Sequence, residues 1–144
     1  MKKVQAAEQS RSPEQFAQKL ASNLIYWQKQ LRLDGLDIRL QFNTEREEDG
    51  VLVGGECVAQ IENNFIIIRL CPPEEMENEP LKHLFCNDYE VILVHELLHG
   101  VNSSWQCGKL FNKLTEDDPI YSLWEQSIHT IAEALVRARR GITR

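Results

Sequence analysis

The segment Val91-Ile92-Leu93-Val94-His95-Glu96-Leu97-Leu98-His99-Gly100-Val101 is apolar nearly all round, and two histidines and a glutamate interrupt it. A helix of that composition belongs at the centre of a fold. At 100° per residue, His95 and His99 lie about 40° apart on one face and one turn apart in height. Two imidazole nitrogens so placed can both reach a tetrahedral zinc at ~2.0–2.1 Å. Glu96 sits beside that face, where a carboxylate can take a proton from water. Burying these three groups without a partner is costly, which sharpens a short pattern into a metal-site expectation.

Upstream, Asn87 or Asp88 caps this helix, with Glu90 spaced for an Asn-x-x-Glu capping box. Before that lies Cys71 to Pro80, a polar loop bounded by prolines, and a short helical turn over 81–86. Three strands come first. Leu36 to Asn43 alternates apolar and polar residues, Val51 to Ile61 carries Gly54-Gly55 as a bulge or close backbone approach, and Phe65 to Leu70 is apolar on both faces. Thr44 to Gly50 is an acidic turn, Asn63-Asn64 another, and the short connections predict antiparallel pairing of neighbours.

An N-terminal helix opens the fold. Ser12 is its N-cap, Pro13 its first residue and Gln15 the partner in a capping box. Phe16, Leu20, Leu24, Trp27 and Leu31 form its inward stripe, and Asp34-Gly35 ends it. Downstream of the central helix, Asn102 to Asp118 is an irregular loop. A third long helix follows, capped by Asp117 or Asp118, with Pro119 first and Gly141 after its end. Ile120, Leu123, Trp124, Ile128, Ile131 and Leu135 are its expected core stripe.

A catalytic zinc takes three protein ligands and keeps one position open. A histidine six residues after His99 is one source of the third ligand, but position 105 is Trp105. Glu125, 26 residues beyond His99 and in the second turn of the last helix, is the other common solution. His129 and Glu133 follow at one-turn steps on the same face and compete for that role. With Glu125 as ligand, His129 is left to orient a ligand, to hydrogen-bond substrate or a developing oxyanion, or simply to face solvent. Tyr121 is a weaker oxyanion candidate, and His83 has no spacing partner.

His95-Glu96-Leu97-Leu98-His99 followed by Glu125 resembles the gluzincin arrangement of zinc metallopeptidases in a very small version. Val91 to Gly100 together with Trp124 to Leu135 is similar to compact ImmA/IrrE-like and SprT-like proteins, many of them encoded by phages and prophages. The resemblance spans about residues 12–140. It implies a zincin-like α+β fold: an N-terminal helix, a three-stranded, mostly antiparallel sheet, an active-site helix and a C-terminal helix. It also implies His95, His99 and Glu125 as Zn2+ ligands, Glu96 as the general base, and an extended peptide bound along an edge strand. His129 departs from a plain helical position there.

Composition bounds these expectations. The 144 residues and 16.7 kDa suit one metallopeptidase domain, with residues 1–11 as a flexible tail. A net charge of −6 argues against nucleic acid as partner, and no apolar run reaches the ~18 residues of a membrane span. Cys57, Cys71, Cys86 and Cys107 form no Cys-x-x-Cys pair, and the start lacks a secretory signal. Four free thiols in the cytoplasm are therefore expected. The reading is a zinc endopeptidase acting on protein or peptide. The alternative is a non-catalytic zinc-binding regulatory or interaction protein on the same scaffold.

Overall fold

The computed structural model describes residues 12–43, 50, 52–60, 63–80, 86–106 and 117–142. The expected N-terminal tail, the acidic turn over 44–49, residues 81–85 with His83, and Cys107 lie outside the described residues.

Helix α1 spans Pro13–Gln30, and its start follows the sequence: Gln15 N–H donates to Ser12 Oγ while Ser12 N–H donates to Gln15 Oε1. Leu20, Leu24 and Trp27 are buried along its inner stripe, with Phe16 and Leu31 packed at the margins. The helix ends earlier than Asp34-Gly35 predicts. Leu31 caps it and Arg32 takes a left-handed φ of 56°. The Gln28 amide, donating to the Leu33 and Leu36 carbonyls, supplies the hydrogen bonds that this turn needs.

Three strands follow: β1 (Asp37–Phe42), β2 (Gly55–Gln60) and β3 (Phe65–Leu70). Their order is β1-β3-β2. β2 and β3 pair antiparallel through the Asn63-Asn64 turn, where Asn64 adopts a φ of 53°. β1 and β3, however, pair in parallel, Asp37 opposite Phe65 through Phe42 opposite Leu70. The sheet is therefore mixed, which corrects the expectation of neighbour-by-neighbour antiparallel pairing. The 22 residues between Phe42 and Phe65 are long enough for a crossover, and β2 occupies the outer place within it. β3 takes the centre, with Ile66, Ile68 and Leu70 fully buried beneath the helices.

The proline-bounded segment is not all loop. Pro73–Asn78 forms a short helix, α2, whose Met76 is buried with Leu52 and Cys71 in a small second cluster. Helix α3 spans Tyr89–Gln106, so the expected loop from Asn102 begins as helix. Asp88 caps it, accepting from the Glu90 and Val91 amides. Glu90 does not close a capping box. It is buried instead, accepting from Trp27 Nε1 at 2.8 Å and from the guanidinium groups of Arg139 and Arg140. Arg139 also donates to Asn23, so one carboxylate joins α1, α3 and the last helix.

That last helix, α4, spans Pro119–Arg139, with Asp118 as cap and Gly141 at φ 68° after its end. The residues it buries are Ile128, Ala132 and Val136. Ile120, Leu123 and Ile131 are exposed, which corrects the predicted core stripe. The inward face is the one packed against α3, and it carries the fully buried Ala132. α3 sits against β2 and β3 on one side and against α1 and α4 on the others, and shares one hydrophobic core with α1, β3 and α4. Among the described residues no helix is long and apolar enough to cross a membrane.

Candidate metal centre

The rotation that exposes Ile120 and Leu123 turns Glu125 toward α3. Its Oε2 lies 3.2 Å from His95 Nε2 and its Oε1 lies 3.2 Å from His99 Nε2. The two imidazole Nε2 atoms are 3.0 Å apart. Tetrahedral zinc with bonds of ~2.0–2.1 Å sets its ligand atoms about 3.3 Å from one another. Each imidazole meets a different Glu125 oxygen, and with one ligand atom from each residue the three atoms lie within 4.8 Å of one another, close enough to hold a metal ion. Among the described residues His95, His99 and Glu125 are the only group of three able to hold a metal, and neither His129 nor Glu133 belongs to it.

The electrostatics of the trio follow from its spacing. Burial alone would raise the Glu125 carboxyl, but the hydrogen bonds and charge of His95 and His99 hold it down, at about 2. Burial would likewise lower His99, and the Glu125 hydrogen bond together with the Glu125 and Glu96 charges pushes it up. The site thus holds a carboxylate charged over nearly the whole pH range, facing two imidazoles. Trp124 stands edge-on to His99, with ring centroids 4.8 Å apart.

Glu96 is buried beside the trio at 6% exposure. Burial is the main reason its carboxyl is pushed up to about 7; the His95 and His99 charges oppose the rise, and Glu125 and Glu56 add to it. A carboxylate tuned near neutrality is suited to taking and returning a proton. Glu96 and His95 form part of an open cleft of about 140 Å³, with Gly54 and Gly55 on one wall and His129 on another. His129 stands in that cleft, its ring 5.8 Å from the His95 ring and its Nε2 3.5 Å from Glu133 Oε1. Tyr121 lies against Trp124, with ring centroids 5.7 Å apart.

Three of the cysteines are described, and Cys57 and Cys86 are free thiols, while Cys71 is buried. Burial, with the charges of Glu96 and Glu56, pushes Cys57 up to about 12, so it stays a neutral thiol. Cys86 borders the cleft and is also raised, chiefly by burial. Two contributors escape a reading of the sequence. Trp124 looks like ordinary core, and Gly55 is legible only as half of a glycine pair that lets backbone approach something unnamed.

Compared with known proteins, the chain matches no family model, no curated protein and no solved structure.

Proposed function

We propose that this protein is a zinc-dependent endopeptidase of the gluzincin type. The observation that carries the proposal is the convergence of His95, His99 and Glu125 to within 3.0–3.2 Å beside a buried glutamate and an open cleft. A zinc ion bound by these residues supplies Lewis-acid chemistry: it polarises a carbonyl and makes water easier to deprotonate.

Glu96 then does the proton work. Its carboxylate takes a proton from water in the cleft and returns it to the amine nitrogen of the departing peptide. His129, across the cleft, donates a hydrogen bond to the carbonyl oxygen as charge collects there. The substrate is an extended protein or peptide segment. β2 is an outer strand, and its first residue Gly55, with Gly54 just before it, lines the cleft, which supports main-chain pairing along β2 as the docking mode. Free Cys57 and Cys86 are in keeping with a reducing cytoplasm.

The rival reading keeps the zinc and drops the hydrolysis, as in a regulatory or interaction protein. Among the described residues no fourth protein ligand joins the trio, and the cleft beside it is open, which favours the enzyme. The experiment is to load the protein with one equivalent of zinc and follow cleavage of an unfolded protein such as casein. Zinc-dependent cleavage that a chelator abolishes supports the peptidase. Stoichiometric zinc with no cleavage of any unfolded chain supports the rival.

A further inference from the structure

Gly55 stands at the start of β2, opposite Leu70 in the ladder, and faces α3. Its backbone is ordinary: the described glycines with positive φ are Gly50 and Gly141. Conformation therefore does not require glycine here, and space does. A Cβ at position 55 would fall 2.9 Å from Glu96 Oε1, 3.2 Å from Glu96 Cγ and 2.9 Å from Ile92 Cγ2. Close-packed interiors do not admit such separations without movement. The neighbouring Gly54 is different, since a Cβ there meets only Met76 Cε at an ordinary 3.7 Å.

Of the atoms that would have to yield, the Glu96 carboxylate is the softest, at the far end of a flexible side chain. The Ile92 methyl is fixed by branching at Cβ. A side chain at position 55 would thus move the carboxylate first. At 6% exposure Glu96 is closely surrounded, and the cleft that it lines is the space left for its carboxylate to move into.

We infer that Gly55 is a positioning residue for Glu96: bare backbone at the head of β2 fixes where that carboxylate sits, and any side chain there displaces it. The inference rests on the reading of Glu96 as the base and adds the element that holds it in place. It also gives the edge strand a second role, since the same residue that borders the cleft sets the geometry of the proton acceptor.

The test is a double-mutant cycle of Gly55→Ala with Glu96→Ala, read by urea unfolding of the metal-free protein, with Gly54→Ala as the unfolding control. Gly55→Ala should lower the unfolding midpoint in the native background and by roughly half as much once Glu96 is truncated. Gly54→Ala should leave the midpoint in place. An equal loss in both backgrounds overturns the inference, because Gly55 then answers only to Ile92. If Gly55→Ala does not fold, recovery of folding by Glu96→Ala supports the inference, and failure in both backgrounds overturns it. A second readout uses the zinc-loaded protein. Gly55→Ala should keep its zinc affinity while casein cleavage falls at least about tenfold, the loss expected of a misplaced proton acceptor. The unfolding cycle does not depend on peptidase activity, so an inactive wild-type protein would count against the proposed function and not against this contact.

Discussion

The Glu125 carboxylate meets His95 Nε2 at 3.2 Å, joining two helices across 30 residues of sequence. The same carboxylate reaches His99, so a single side chain of α4 faces both imidazoles of α3. On the proposed coordination, replacing it removes one of three protein ligands. Glu125→Ala should weaken zinc binding by on the order of a hundredfold or more, measured by competition with a chromophoric chelator. Unchanged affinity would mean that α4 contributes no ligand.

Glu96 is adjacent to the trio and outside it. Glu96→Gln keeps the size of the side chain and loses the proton acceptor. Zinc stoichiometry should stay at one, while peptide cleavage falls by about 10²–10⁴-fold. Full activity in this variant would remove Glu96 from the chemistry.

Zinc binding should release protons and weaken in acid, because imidazole binds the metal only when neutral and carboxylate only when ionised. Titrating zinc into unbuffered protein near pH 6 should acidify the solution. Zinc should also raise the unfolding temperature more at pH 8 than at pH 5.5. An equal rise at both pH values would contradict coordination through His95 and His99.

Glu90 should contribute to acid stability at the other end of the α3–α4 pair. Burial alone would raise its carboxyl, but hydrogen bonds from Trp27, Arg140 and Arg139, with the Arg139 charge, hold it below its ordinary value. A carboxylate with a depressed folded-state pKa stabilises the fold above its unfolded pKa of about 4.3, and that contribution is lost as pH falls through the folded value. Glu90→Gln should cost about 3 kcal/mol at pH 7, since Arg139 and Arg140 lose their buried counter-charge. It should also flatten the fall in stability below about pH 4. Denaturant unfolding at pH 7 and pH 3 checks both; an equal loss at the two pH values would contradict the account.

Much of this arrangement was open to reading from the chain, for reasons that differ by residue. His95, Glu96 and His99 are set by spacing within one helix, so period alone puts the histidines on one face. The Ser12, Asp118 and Gly141 boundaries are local chemistry and hold as read. The strand order is not local. Parallel pairing of β1 with β3 depends on where β2 goes, and Asn63-Asn64 reports only the β2–β3 turn.

Hydropathy points the wrong face of α4 inward because it favours large apolar residues. Glu125 and Ala132 carry little weight on such a scale, yet they occupy that face, while Ile120, Leu123 and Ile131 turn outward. The role of Glu90 is hidden for a related reason: its spacing from Asn87 fits a cap, and nothing nearby in the chain announces Trp27, Arg139 or Arg140. Gly55 showed that backbone must come close to something, and only the fold identifies Glu96 as the neighbour.

Diffraction from zinc-loaded crystals, recorded above and below the zinc absorption edge, is the most direct test of the trio. The account predicts one anomalous peak per chain, with His95 Nε2, His99 Nε2 and a Glu125 oxygen at about 2.0–2.2 Å. Absence of a peak between those three side chains, or a peak bound elsewhere on the chain, would contradict it.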